Sequence, residues 1–179
     1  SKKYDDKNAT SIVVQFGFKI DGYTGYKSRV LMGSDAEHEI WQHILENNTD
    51  EEKLKWNIFL APHHCSWSFF NDSDNKEEIK PSAEAILDKQ IGNSAHVIAS
   101  SNEIKDDNNN PPCYEAKEQY IKKLKSGSSH FLNTATHSKL GNIPQPIVFK
   151  ITANGKTLRE ISTVAGASSI SNPAPRAGR

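Results

Sequence analysis

The chain has 179 residues, with 22 Lys and Arg against 22 Asp and Glu, and a mean hydropathy of −0.68. That length suits one domain with a real core and leaves too little for two. The balanced charge removes any whole-chain argument for a nucleic-acid or membrane surface, and a hydrophobic content of 35% fits a chain forming only part of a larger core.

Two cysteines, Cys65 and Cys113, make no disulfide framework, so a reducing, cytoplasmic setting is expected. No apolar run reaches the length of a membrane span, and no signal-peptide pattern is visible. Residues 1–10 are polar and charged and read as a linker or a cut end. Residues 11–20 form the first strong strand, solidly apolar at its start and alternating at its end, as suits passage from a buried position to a sheet edge. Asp21-Gly22 is a turn signal, and residues 28–32 return as the second strand of a hairpin, ending at Gly33-Ser34-Asp35.

Residues 36–47 are predicted helical, because Ile40, Trp41, Ile44 and Leu45 share one face, with Asp35 as the N-cap. Residues 56–61 form the next strand and run directly into Pro62-His63-His64. Residues 71–80 read as a polar surface loop. Pro81 opens a second helix at a position where its missing N–H is harmless, and Gly92-Asn93 stops it. Residues 95–100 are a buried strand that ends in Ser101-Asn102. A third helix spans residues 114–125 with Tyr120, Ile121 and Leu124 on its apolar face. Residues 130–132 and 147–151 read as closing strands, with Asn154-Gly155 as a turn. Residues 11–162 thus form one domain, and residues 163–179 are expected to be a disordered tail. Strands alternating with helices behind a hairpin predict an α/β layer architecture, with functional groups gathered after strand ends.

The chemistry concentrates between Val30 and Phe70. An Asp after one strand and two histidines after the next can meet at one rim of a sheet. Carboxylate and neutral imidazole together suit a hydrolytic zinc or manganese ion with an open water position. A lone Asp before a helix is otherwise a cap, and adjacent histidines are otherwise packed and hydrogen-bonded rings. Successive side chains in an extended segment point opposite ways, so one of His63 and His64 would bind the metal and the other would face substrate or give a proton. Cys65 has no CxxC partner and no dedicated base, which favours an inert small residue. Ser100, Ser101 and Asn102 could hold a substrate oxygen or could be a plain polar exit from a strand. His137 is a weaker candidate, and His38 and His43 read as surface or half-buried groups. Lys122-Lys123-Leu124-Lys125 reads first as a solvated helix end.

The order of these pieces resembles the C-terminal half of a metallo-β-lactamase-fold hydrolase, in the branch of the competence DNA-uptake (ComEC-type) hydrolase domain. The matching residues are Asn8-Ala9-Thr10-Ser11, Gly33-Ser34-Asp35-Ala36-Glu37, Ala61-Pro62-His63-His64-Cys65-Ser66, Ser100-Ser101-Asn102 and Pro111-Pro112. The resemblance implies an αββα sandwich whose one or two metal ions, Zn²⁺ or alternatively Mn²⁺, activate water for hydrolysis, often of a phosphodiester. It implies Asp35 as the metal-bridging carboxylate and His63 or His64, with a lean to His64, as the last histidine ligand. Ser66, Ser100, Ser101 and Asn102 would contact substrate, of which nucleic acid or nucleotide is one class. The sequence departs from that pattern where Ser34 enters the Gly-Asp step, where Cys65 replaces a Gly, and where two prolines replace a His-Pro step. The first metal cluster of the pattern, His-x-His-x-Asp-His, is missing from the 179 residues. The expectation is therefore that a separate N-terminal half, on the same or another chain, carries that cluster. The alternative is a catalytically inactive relative that serves in protein–protein interaction.

Overall fold

A computed structural model describes residues 7–73, 75–125 and 130–159 of the chain. Its centre is a five-stranded mixed sheet in the order β1 (Val14–Phe18), β2 (Ser28–Met32), β3 (Ile58–Leu60), β4 (His96–Ala99), β5 (Phe131–Asn133). β1 and β2 are the expected antiparallel hairpin, and β2 through β5 run parallel. Parallel neighbours need crossovers, which α1 (His38–Glu46), α2 (Pro81–Asp88) and α3 (Tyr114–Lys123) provide. Strands that follow one another in both sequence and sheet order, joined by right-handed crossovers, leave all three helices on one face. α1 packs on α2, and α2 on α3.

The register sorts the sheet's side chains by face. Leu31, Phe59, Val97 and Phe131 are paired across the four parallel strands and point to the helices. There Phe59 meets the rings of Trp41, Trp56, Phe69 and Tyr120 at centroid distances of 5.3–6.2 Å, offset or edge-on as ring quadrupoles prefer. Trp41, Trp56, Phe59, Phe69, Phe70 and Tyr120 are all essentially inaccessible. Burying such a ring is worth on the order of 5 kcal/mol as an area estimate. The helix-facing core is thus aromatic.

The opposite face is different. Val30, Met32, Leu60 and Ile98 lie there only partly covered, and Val14, Phe16 and Phe18 pair with Met32, Val30 and Ser28 on the same side. Phe16 is 48% and Phe18 42% exposed. A second hairpin, β8 (Val148–Thr152) with β9 (Gly155–Arg159), covers the His96 end of this face through Phe149, whose ring lies 5.0 Å from that of His96. A short hairpin of β6 (Lys139–Leu140) and β7 (Ile143–Pro144) precedes it, an element that the sequence reading does not separate from its loop.

Several expectations are corrected. The first strand is β1, Val14–Phe18, and is largely exposed rather than buried at its start, because it is the sheet edge on a face that the described residues cover only in part. α1 begins at His38 with Glu37 at the N-cap and no side-chain cap bond, so Asp35 is not the cap. Asp35 instead belongs to a turn in which Ala36 N–H reaches Gly33 O at 2.9 Å. α2 ends at Asp88, before Gly92, because Gln90 is drawn into a bridge with Trp56. Residues 7–10, expected as part of a linker, include a short 3₁₀ turn whose Asn8 side chain donates to Glu37 at 3.1 Å. The expected disordered tail at 163–179 lies outside the described residues. Among the described residues, no helix is long and apolar enough to cross a membrane.

Candidate metal and substrate site at the β2 and β3 strand ends

Two neighbouring parallel strands deliver the site. β2 ends at Met32 and the chain turns through Gly33 and Ser34 to Asp35. β3 ends at Leu60 and the chain passes Ala61 into a 3₁₀ turn at Pro62–His64. The two turns are joined by His63 N–H donating to Ser34 O at 2.9 Å. Trp41 fixes the first turn from below: its Nε1–H donates to Ala36 O at 3.1 Å, and a β-carbon on Gly33 would lie 2.3 Å from its ring. Only glycine lets that ring pack where it does.

The second turn has unusual backbone geometry. His63, His64 and Cys65 have φ of 48°, 56° and 70°, three successive non-glycine residues in the left-handed region, with Ser34 (φ 47°) facing them. Left-handed conformations cost an ordinary L-residue about 1–2 kcal/mol and usually occur singly. Strain of this kind persists where surrounding structure over-determines it, and it gathers at functional sites. Here Cys65 supplies the anchor. Its side chain is buried and its carbonyl accepts from Cys113 N–H at 2.9 Å. Burial, reinforced by the neighbouring Cys113 thiol, pushes the Cys65 thiol far up, and burial likewise raises Cys113. Burial thus favours the protonated form of both thiols.

The left-handed turn sends the two imidazoles apart, with ring centroids 6.4 Å from each other. His64 Nδ1 lies 2.8 Å from Ser100 O, an acceptor only, so Nδ1 carries the proton and Nε2 presents its lone pair. That Nε2 is 4.0 Å from Asp35 Oδ1. Fixing one ring nitrogen on a backbone carbonyl so that the other is free is how metal-binding histidines are commonly held. Two donors on one tetrahedral zinc would sit about 3.4 Å apart, so the pair fits a metal after a closure of well under 1 Å. Asp35 and His64 are 47% and 58% exposed at the side chain, an open arrangement for such a site. Among the described residues no group of three or more His, Cys, Asp or Glu could hold a metal. What this chain brings together is two donors.

His63 takes a different direction. Its Nδ1 lies 3.2 Å from Ser68 Oγ, whose hydroxyl donates to Ser66 Oγ at 3.0 Å, and Ser66 donates to Asn110 Oδ1 at 2.8 Å. Glu37 Oε1 is 3.8 Å from the same ring nitrogen. Ser66 is therefore placed as an internal joint: it is 2% exposed with its hydroxyl committed, which removes it from the substrate-contacting set. Ser100, Ser101 and Asn102 do gather with His64, beside Pro111, Pro112 and Thr134, around a cavity of about 420 Å³. A smaller cavity of about 150 Å³ joins Asp35, His64 and Ser100 to Met32 and Leu60 of the bare sheet face. His64 and Ser100 border both. Asn133 ties this rim together, donating to Ser101 Oγ at 2.8 Å and to Asn102 O at 3.0 Å.

Glu37, Ser68, Asn110 and Asn133 are among the residues of the site that the sequence reading did not single out as functional. Glu37 had a signal, standing two residues from Asp35 within the matched segment. Asn110 and Asn133 had none, because each acts through a contact more than 30 residues away. His137 lines a separate cavity of about 320 Å³ with Glu103 and Lys117. His38 is buried, not half-exposed. Among the described residues neither of its ring nitrogens has a hydrogen-bond partner, while Nε2 is 3.5 Å from Asp72 Oδ1. Lys123 is paired with Glu84 at 2.8 Å, which holds the end of α3 to α2.

The fold and these strand ends define a mixed α/β protein with a carboxylate–imidazole pair at the carboxyl rim of its sheet. No protein-family model, curated protein or solved structure matches the chain.

Proposed function

We propose that this chain is the later-ligand half of a metal-dependent hydrolase of metallo-β-lactamase fold, acting on a phosphodiester or related ester. The observation that carries the reading is the His64 arrangement: Nδ1 bound to Ser100 O, Nε2 turned to Asp35 at 4.0 Å, both at adjacent strand ends. Asp35 and His64 would hold the metal, Zn²⁺ in the first instance and Mn²⁺ as the alternative. A metal bound there would supply Lewis acidity and a water of lowered pKa. The chain's own groups then have separate tasks. Ser100 O holds the His64 tautomer, the Ser101 and Asn102 rim receives the substrate, and the His63–Ser68–Ser66–Asn110 chain of hydrogen bonds keeps the strained turn in place.

The remaining ligands would come from an N-terminal half carrying a His-x-His-x-Asp-His cluster. The partly bare sheet face beside the site, with Val14, Phe16, Phe18, Met32, Leu60 and Ile98, supports this, since an apolar sheet face calls for a second layer. The test is zinc titration of the chain alone and of the chain co-expressed with a segment bearing that cluster. The expected result is negligible uptake alone and tight uptake with the segment, lost in His64→Ala and retained in His63→Ala. Tight, full-occupancy zinc on the chain alone would overturn the reading. The exposed apolar face also favours a second reading, an inactive domain that binds another protein. Stable association with the segment and no metal uptake would select it.

A further inference from the structure

At the amino end of the sheet, where β2 and β3 begin and the chain leaves α2, lies a cavity of about 540 Å³, larger than either cavity at the strand-end site. That volume is typical of small-molecule sites. Four cations line it, Lys27, Arg29, Lys55 and Lys89, against two carboxylates, Glu52 and Asp88. A chain whose charges cancel as a whole therefore gathers an excess of two positive charges in one concavity. Glu52 holds two of the cations, taking Arg29 Nη2 at 2.8 Å and Lys55 Nζ, but it is 61% exposed, so a ligand can displace it at little cost. The other two lack such a partner. Among the described residues Lys27 meets only the Tyr23 ring, 5.2 Å from Nζ, and neither it nor Lys89 is paired with a carboxylate.

The polar groups between the cations are held in place. The Arg29 guanidinium lies over the Tyr26 ring at 5.1 Å and spends two of its five N–H donors on Glu52. Asn57 Oδ1 accepts from Ser28 Oγ at 2.9 Å and from Arg29 N–H at 2.7 Å, which commits the oxygen and sets the orientation of the amide. The two N–H donors of that amide have no partner among the described residues. We propose that this cavity binds a small ligand bearing a phosphomonoester or diphosphate group. A carboxylate brings one negative charge, whereas a phosphoryl group brings close to two, with three acceptor oxygens. That matches the excess charge, the Arg29 fork and the Asn57 amide. The cavity lies at the other end of β2 and β3 from Asp35 and His64, so it stands or falls separately from the hydrolase reading.

The experiment is titration of the intact chain with inorganic pyrophosphate in EDTA near neutral pH, followed by calorimetry and by amide NMR shifts. Saturable binding is expected, with shifts at residues 26–29, 52–57 and 88–92. Lys89→Ala should weaken it about tenfold, and Glu52→Gln should tighten it about threefold by removing the competing carboxylate. Neither side chain belongs to the core, and a tighter variant cannot be explained by misfolding. Failure to saturate by about 10 mM overturns the proposal, as do shifts confined to residues 64 and 100–102. Unchanged affinity in either variant, or equally tight binding of citrate, also overturns it. So does an oligothymidylate that binds more tightly than pyrophosphate, since the cations would then follow a nucleic-acid backbone.

Discussion

Gly33→Ala is the sharpest perturbation of the site that leaves every proposed ligand in place. The added β-carbon would fall 2.3 Å from Trp41 Cζ2 and 3.2 Å from Pro62 Cγ. Carbon atoms are comfortable at about 3.5–4.0 Å, so the overlap with the indole exceeds 1 Å. The ring has nowhere to go. It is fully buried, edge-on to Phe59 at 5.9 Å and to Phe69 at 5.8 Å, and tethered to Ala36 O. Overpacking a closed core of this kind costs about 1–3 kcal/mol. At about 2–4 °C per kcal/mol for a domain of this size, the melting temperature should fall by about 2–12 °C. Chemical denaturation should show a lower midpoint with an unchanged slope. The backbone will yield before the indole, and the part that moves carries Asp35. Zinc affinity of the assembled site should therefore fall together with stability. An alanine variant as stable as the parent would refute the packing argument. One that loses stability but keeps full metal affinity would refute the link from Trp41 to Asp35.

Three further outcomes are expected. Tyr120→Phe should hold or raise stability, by up to about 1 kcal/mol in urea denaturation, because the buried Tyr120 hydroxyl has no hydrogen-bond partner among the described residues. Asn110→Ala should cost about 1–3 kcal/mol, since Trp67 N–H and the buried Ser66 hydroxyl both bond to Asn110 Oδ1. The same substitution should weaken zinc binding by the assembled site if the strained turn depends on that anchor. His96, brought from 6.5 to about 4 in the folded chain, gives a pH prediction. The unfolded chain takes up a proton as pH falls below about 6.5 and the folded chain does not, so stability should drop between about pH 6.5 and pH 4. Thermal scans across that range should show this drop, and His96→Gln should flatten it.

The sequence carried the layout of the fold further than the details of the site. The period of Ile40, Trp41, Ile44 and Leu45, the Asp-Gly turn and the apolar runs placed the hairpin, the three helices and the four parallel strands, because those features are local. The exposure of β1 could not be read this way. Val14, Phe16 and Phe18 alternate like any half-buried strand, and what covers them is a matter of layers. At the site, Asp35 and His64 were legible because strand-end positions are predictable in a parallel sheet. The direction of each imidazole was not, since it depends on three left-handed residues in a stretch that reads as extended or turning. Asn110 and Asn133 were invisible for a related reason: a buried acceptor's partner is chosen by tertiary contact and leaves no spacing in the chain.

The thinly covered side of the sheet has a consequence for how the molecule behaves in bulk. Phe16 and Phe18 stand on an edge strand whose outer backbone groups have no neighbouring strand among the described residues, so the surface is both sticky and able to extend a ladder. Anything that covers it binds the folded chain and not the unfolded one, and mass action then adds to the free energy of folding. Should a partner or a second copy cover this face, the melting temperature would rise with that species' concentration, and a single value measured at one dilution would describe the solution as much as the fold.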